Sequence, residues 1–88
     1  MHAVAVRVTI KDRDAAISEL HERVVPTVSG APGFVAGYWF TLPNDDQGRG
    51  VIVFDSEETA QAAAAQVGAP REAVTIDSVE VCEVVANA

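Results

Sequence analysis

The order in which residue patterns change along the chain constrains its fold more than any other feature. Residues 2–10 alternate, with Val4, Val6, Val8 and Ile10 on one side, and this period of two is typical of a half-buried strand. A helical pattern follows, then two strand patterns, a second helical pattern and a last strand. The sequence therefore predicts strand, helix, strand, strand, helix, strand, with almost no residues left over.

The first predicted helix begins at Asp12 or Asp14, because carboxylates are favoured where the helix dipole is positive. Apolar residues recur along it at helical spacing, namely Ile17, Leu20, Val24 and Val28. Pro26 lies on the opposite side and lacks a backbone N–H, so we expect the helix to kink or loosen near it. Gly30 and Pro32 end the helix.

The second strand, predicted over residues 34–42, is apolar on both of its sides. The side assigned to the helices holds Phe34, Ala36, Tyr38, Phe40 and Leu42. The opposite side holds Val35, Gly37, Trp39 and Thr41. Because no further element of the chain can cover that opposite side, the sequence predicts a homodimer in which two sheets pack face to face.

A polar segment from Pro43 to Gly50 is predicted to be a hairpin loop, and residues 51–55 are predicted to be the third strand. Within this loop, Gly48-Arg49-Gly50 lacks the lysine and the following helix of a phosphate-binding loop. We therefore interpret these three residues as a flexible hairpin tip.

The second helix is capped by Asp55 or Ser56 and is followed by the last strand, predicted over residues 74–85. The inner face of this helix carries small residues: Ala60, Ala63, Ala64 and Val67. In the last strand the alternation slips near Ser78, which predicts a β-bulge.

Composition and charge limit the partners of the chain. Its 88 residues make one domain, residues 1–88. Hydrophobic residues make up 49% of the chain, a high fraction for a domain of this size, which again favours a second subunit. The net charge is −7, and the six Lys and Arg residues are scattered. Nucleic acids and anionic membranes are therefore disfavoured as partners.

Cys82 is the only cysteine, so no disulfide can form within the chain, and we interpret it as a small apolar strand residue. The first residues lack the pattern of a signal peptide and no apolar run is long enough to span a bilayer, which predicts a cytoplasmic protein. The spacing of His2, His21 and Cys82 does not suit a metal site, and no cofactor is expected.

With this order of elements, the chain resembles the dimeric α+β barrel superfamily over nearly its whole length. The step Pro32-Gly33-Phe34 between the first helix and the second strand is similar to that of small antibiotic-biosynthesis-monooxygenase-type domains. The resemblance implies an α+β fold of the ferredoxin-like βαββαβ type, with an antiparallel four-stranded sheet, two helices on one face and a second subunit packed sheet to sheet. Members include cofactor-independent monooxygenases, haem-degrading enzymes and proteins without a known reaction. The Asn, Trp and His set of the haem-degrading members is not reproduced here.

His21 and Tyr38 are the candidate catalytic residues. On a helical wheel His21 borders the apolar stripe, where it could reach a cavity between helix and sheet and act as a general base. Tyr38 is predicted on the helix side of the sheet, where its hydroxyl could orient a phenolic substrate, with Phe34 and Phe40 holding an aromatic ligand beside it. The alternative is that His21 is a boundary residue and Tyr38 a structural aromatic residue.

Arg7, Val35 and Trp39 are predicted at the dimer interface. Trp39 lies next to small residues such as Gly37, an arrangement that lets two sheets interdigitate. The alternative for Trp39 is a stacking surface for an aromatic ligand. A buried Arg7 would require a carboxylate partner. The last strand offers three candidates: Asp77, Glu80 and Glu83.

Two functions are compatible with these patterns. The first is a non-catalytic dimeric module that binds a small hydrophobic molecule or only a second subunit, because no complete catalytic set is present. The second is a cofactor-independent, monooxygenase-like enzyme acting on an aromatic or phenolic molecule, with His21 as the base and Tyr38 as the orienting donor. A cavity with His21 opening into it is the feature that discriminates them.

Overall fold

The structure is a computed structural model that describes residues 1–43 and 46–88. Its strands are β1 (His2–Ile10), β2 (Phe34–Thr41), β3 (Gln47–Phe54) and β4 (Val74–Glu83). Its helical elements are α1 (Arg13–Glu19), a π-helical segment (Leu20–Val24), α2 (Val25–Ser29) and α3 (Glu57–Val67). The fold is α+β, and the predicted order of strands and helices is confirmed.

The four strands form one antiparallel sheet in the order β2-β3-β1-β4. β1 and β3 therefore occupy the centre, and the helical stretch between β1 and β2 crosses over the sheet. β1 has the predicted bounds, whereas β2 and β4 end slightly before the predicted residues 42 and 85. Alternation along β1 places Val4 and Val6 in the core, as predicted.

The third strand begins at Gln47, so the prediction of a strand confined to residues 51–55 was wrong. Gly48-Arg49-Gly50 is paired with β1 on one side and β2 on the other, and is not a hairpin tip. Backbone pairing on both sides outweighs the low strand propensity of glycine at a central strand. The predicted loop also contained Asn44 and Asp45, which lie outside the described residues.

The bulge predicted near Ser78 is confirmed. Arg7 is paired with Ser78, whereas the next residue, Val8, is paired with Ile76, so that Asp77 is the extra residue of β4. Beyond the bulge, alternation resumes with the opposite parity, which explains why the sequence pattern slips there.

A second bulge, which the sequence did not predict, lies near the start of β2. Phe34 is paired with Phe54 and Ala36 with Val53, so Val35 is an extra residue. Because one inserted residue reverses the side on which every later side chain lies, this bulge changes the orientation of most of β2.

The predicted sides of β2 were therefore wrong after Val35. Cross-strand partners share a face of the sheet, and Trp39 is paired with Gly50. Gly50 lies on the same face of β3 as Ile52, which is a core residue on the helix side. Trp39 thus lies on the helix side. Tyr38 and Phe40, predicted on that side, lie on the open face instead.

The first helix begins where the sequence predicts and loosens before Pro26. The Asp12 carboxylate accepts a hydrogen bond from the backbone N–H of Ala15 (3.1 Å), which caps α1. Further along, the N–H of Val25 donates to the carbonyl of Leu20, the spacing of a π-helical turn. Pro26 lies in the first turn of α2, where its missing N–H is tolerated. The predicted loosening is confirmed, in the turn that precedes the proline.

α3 packs directly on β1, β3 and β4, because its buried residues Ala60 and Ala63 allow a close approach. Its N-terminus is capped by Ser56, whose hydroxyl accepts from the N–H of Thr59 (3.2 Å). Gly33, in the turn from α2 to β2, has a φ of 79°, and a Cβ at this residue would lie 2.6 Å from the hydroxyl of Thr59. Only glycine suits this turn, as the sequence predicts.

The core lies between the sheet and the helices, and its largest fully buried side chains are Phe54, Ile52 and Val4. A smaller cluster of Ala16, Ala73 and Val74 closes the end of the sheet where β1 finishes. Within the described residues, every helix is too short or too polar to cross a membrane.

Candidate ligand-binding site

A cavity of about 540 Å³ lies between the sheet and the helical stretch from α1 to α2. Its walls are mainly aliphatic. β1 contributes Val6, Val8 and Ile10. The helical stretch contributes six apolar side chains: Ala16, Ile17, Leu20, Val24, Val25 and Val28. The cavity is partly open to solvent, and two of its lining residues, Ile17 and Val25, are 38% and 36% exposed.

Missing side chains on β3 create this space. Gly48 and Gly50 lie on the helix side of β3, and both line the cavity. On the helical side Ala16 and Ala63 contribute only methyl groups. α3 packs on three strands and α2 packs on β2, whereas α1 and the π segment border the cavity.

Trp39 lies in the wall of this cavity and not on the face predicted for the dimer. Its indole covers two glycines of the sheet: a Cβ at Gly50 would lie 2.9 Å from its Cδ1, and a Cβ at Gly37 would lie 2.8 Å from its Cη2. The ring therefore lies flat across the neighbouring strands. Such an approach requires glycine beneath the ring. Of the two uses predicted for Trp39, its position favours a surface against which a ligand can stack.

Tyr38 and Phe40 lie on the open face of the sheet, away from His21. Tyr38 is 69% exposed and Phe40 is 49% exposed, although Phe40 also borders the cavity near the end of β2. Their cross-strand partners are Val51 and Arg49, which also face away from the helices. The bulge at Val35 is the reason. The structure does not bring Tyr38 and His21 to one site.

Phe34 is on the helix side, as predicted, but it belongs to the core. Its ring packs edge to face against Phe54, with centroids 6.2 Å apart and an interplanar angle of 78°. Phe34 is not among the residues that line the cavity. Its position is that of a structural aromatic residue.

His21 lines the cavity from the π segment and remains exposed to solvent. The π turn matters here, because the extra residue per turn changes which side chains face the sheet. Leu20 and Val24 of the same segment also line the cavity. A cavity beside His21 is therefore present, while the role of His21 in binding or catalysis stays a prediction.

Polar side chains line the end of the cavity where β1 and β2 finish and β4 begins. Arg13, in the first turn of α1, donates from Nη1 to the Thr41 hydroxyl at the end of β2 (3.4 Å). Arg71, which precedes β4, also lines the cavity, and its Nε is buried without a hydrogen-bond partner. Sequence patterns did not predict that these three residues line one cavity, since residues 13, 41 and 71 are distant along the chain.

The open face holds the other predicted interface residues. Arg7 and Val35 are exposed there, as expected for a face without a cover. Within the described residues, Arg7 has no ion pair with an acid of β4, and Asp77 instead accepts a hydrogen bond from the Thr9 hydroxyl (2.7 Å). Cys82 is exposed, so its interpretation as an apolar filler was wrong.

A metal site is not formed by the described residues, since no three His, Cys, Asp or Glu side chains among them are grouped to hold an ion. The polar residues that line the cavity are instead four arginines, a histidine, two threonines and a glutamine. These suit hydrogen bonding to an organic ligand more than coordination of a cation.

One sequence signal could have placed Trp39 correctly. In the third strand Gly48 and Gly50 alternate with Arg49 and Val51, and the aliphatic side of β1 must face the helices. Glycines opposite a tryptophan on a neighbouring strand indicate that the ring covers them.

Comparison with known proteins adds no family to this description. No protein-family model matches the chain, and no curated protein matches its sequence significantly.

Proposed function

We propose that this chain is a ferredoxin-like subunit of a dimeric α+β barrel, and that it acts as a non-catalytic module binding a small hydrophobic molecule. The observation that carries this proposal is the open apolar cavity of about 540 Å³ beneath α1 and the π segment. The βαββαβ order of elements and the strand order β2-β3-β1-β4 support the ferredoxin-like assignment.

The cavity has the properties of a small-molecule site. Its volume falls within the range of roughly 300–1,000 Å³ typical of ligand pockets. Its walls are aliphatic, and Trp39 offers a flat aromatic surface on the sheet side. The few polar groups at one end can fix the orientation of a ligand, as specific pockets require.

The open face of the sheet supports a homodimer. Tyr38, Phe40 and Val51 form an exposed apolar patch on the β2–β3 half of this face. Arg7 and Glu80 lie on the β1–β4 half. A face with an apolar patch and both charge signs can be complementary to a second copy of itself about a twofold axis.

The enzymatic alternative is a cofactor-independent, monooxygenase-like reaction on an aromatic or phenolic molecule. The position of His21 at the cavity favours it, because a general base must reach the bound substrate. In this alternative His21 removes a proton from a substrate carbon, and the resulting carbanion adds O₂ to give a peroxide anion, which takes up the proton as a hydroperoxide and loses water to leave a carbonyl. Tyr38 does not serve as the orienting donor, because it lies on the other face of the sheet.

Mass spectrometry of the native protein, purified without added ligand, tests the primary proposal. We expect a dimer that retains an apolar small molecule. Replacing Val8, in the cavity wall, by Trp should displace this molecule, whereas Val51→Trp on the open face should not. Retention of the same molecule by both variants would contradict binding in the cavity.

Oxygen consumption separates the two functions. The non-catalytic module should consume no oxygen above background with a panel of anthrones and polyphenols, for wild type and His21→Gln alike. Consumption that depends on the substrate and is lost in His21→Gln would establish the enzymatic alternative.

A further inference from the structure

The charge lining the cavity differs in sign from the charge of the whole protein. The chain has a net charge of −7 and 13 acidic residues, yet none of the described acidic residues lines the cavity. Four arginines and His21 line the cavity. Arg49 lies on the open face of the sheet, which leaves Arg13, Arg23 and Arg71 as the basic residues on the cavity side. The cavity is thus apolar in its walls and basic in its charged groups.

We infer that the ligand of this cavity is an apolar anion, a molecule with a hydrocarbon or aromatic body and one carboxylate, phenolate or enolate group. The inference rests on the proposed binding function and specifies its ligand class. The apolar body lies against the aliphatic walls and Trp39. The anionic group lies at the end of the cavity formed by Arg13, Thr41 and Arg71.

Arg71 is the strongest element of this anion site. Its Nε is buried and has no hydrogen-bond partner, although a buried donor of a charged group is costly to leave unpaired. Within the described residues, no carboxylate lies within ion-pair distance of its guanidinium. An anionic ligand oxygen would satisfy this donor and compensate the charge.

Arg13 adds a second positive charge at this end of the cavity. Its guanidinium is joined to Thr41 by a single, long hydrogen bond of 3.4 Å, so most of its donors remain available. Arg13 and Arg71 both lie at the end of the sheet where Ile10 and Val74 are paired. Because Arg13 contacts β2 and Arg71 precedes β4, they lie toward opposite edges of the sheet, so Arg71 is the primary anion partner and Arg13 adds positive charge to the same end of the cavity.

Binding of three molecules with the same chain length tests the ligand class: octanoate, 1-octanol and octyltrimethylammonium. Trp39 is the only tryptophan of the chain and lines the cavity, so its fluorescence reports binding there, with calorimetry for the affinity. We expect octanoate to bind about tenfold or more tightly than 1-octanol, the effect of a charge-assisted hydrogen bond. The cation should bind most weakly.

Two variants and a matched control locate the charge. Arg71→Gln should reduce octanoate affinity about tenfold, and Arg13→Gln, whose side chain is exposed, should reduce it by less. Both should leave 1-octanol affinity unchanged, which also shows that the cavity is folded. Lys11→Gln removes the same charge from an exposed residue outside the cavity lining. It should change octanoate affinity by less than about threefold, because exposed charges are screened.

The possible outcomes distinguish this inference from the proposed function. Equal affinity for octanoate and 1-octanol would overturn the anion site and leave a hydrophobic-molecule site standing. Equal losses of octanoate affinity in Lys11→Gln and Arg71→Gln would also overturn it, because the preference for the anion would then come from the overall charge of the protein. Absence of binding by all three molecules would overturn both.

Discussion

The two faces of the sheet are built from the same four strands but differ in what covers them. On the helix side, aliphatic residues, two glycines of β3 and Trp39 face the chain's own helices and leave a cavity. On the open side, Tyr38 and Phe40 are exposed. The difference teaches that an apolar strand surface does not by itself reveal which element covers it.

The contrast has an energetic consequence. Side chains on the helix side are buried by folding of a single chain, so their loss lowers the free energy of unfolding at any protein concentration. Side chains on the open face gain burial only if a second copy associates, so their loss acts through mass action. Concentration dependence therefore tells which face a residue occupies.

The largest effect is expected at Phe54, which is fully buried on the helix side. Phe54→Ala should lower the free energy of unfolding by about 3–5 kcal/mol, because it removes a buried ring and leaves a void. The matched change on the open face is Phe40→Ala. Denaturant titrations at two protein concentrations should show a constant loss for Phe54→Ala and a concentration-dependent loss for Phe40→Ala. Similar behaviour of the two variants would contradict the difference between the faces.

Trp39→Ala should give the next largest effect. Trp39 is partly buried, so we expect a loss of about 2–3 kcal/mol, below the range for a fully buried aromatic residue. The loss should not depend on protein concentration, and the dimer should persist. Light scattering together with thermal unfolding checks both points. Dissociation of the dimer in this variant would restore Trp39 to the interface that the sequence predicted.

The double substitution Tyr38→Ser/Phe40→Ser should convert the proposed dimer to a monomer. Central aromatic residues of an interface often contribute about 2 kcal/mol or more each. Ligand binding in the cavity should survive in the single variant Tyr38→Ser at concentrations where the monomer is folded, since Tyr38 does not line the cavity, whereas Phe40 does. Light scattering of the double variant at micromolar concentration is the measurement. A dimer of undiminished stability would place the contact elsewhere.

Gly50→Ala should have a smaller effect, of about 1–2 kcal/mol, through overpacking. Its new methyl group would lie 2.9 Å from Cδ1 of Trp39, so the ring must shift, and the fluorescence maximum of Trp39 should change. The comparable Ala substitution at Gly48 would place the methyl group 3.0 Å from a flexible Val8 methyl and should cost less. Equal costs at the two glycines would argue against a ring lying flat on Gly50.

Local chemistry accounts for the parts of the fold that were predicted. Period-two alternation indicated β1, and the missing N–H of Pro26 indicated a loosened helix. Carboxylate and hydroxyl residues narrowed each helix start to two candidates, of which Asp12 and Ser56 are the caps. The slipped pattern at Ser78 located one bulge. Each of these features depends on residues within one or two turns, or within one strand.

The orientation of β2 and the cavity depended on tertiary structure. Side chains alternate between the two faces of a strand, so one extra residue reverses the face of every residue after it. The extra residue Val35 therefore places Trp39 on the helix side and Tyr38 on the open face. Whether that residue is accommodated is decided by pairing with β3, which lies on another part of the chain. The same holds for Gly48, Arg13 and Arg71. The residue types can be read from the sequence, but only the packing of three distant segments brings them to one cavity, with Gly48 in its sheet-side wall and Arg13 and Arg71 at its basic end.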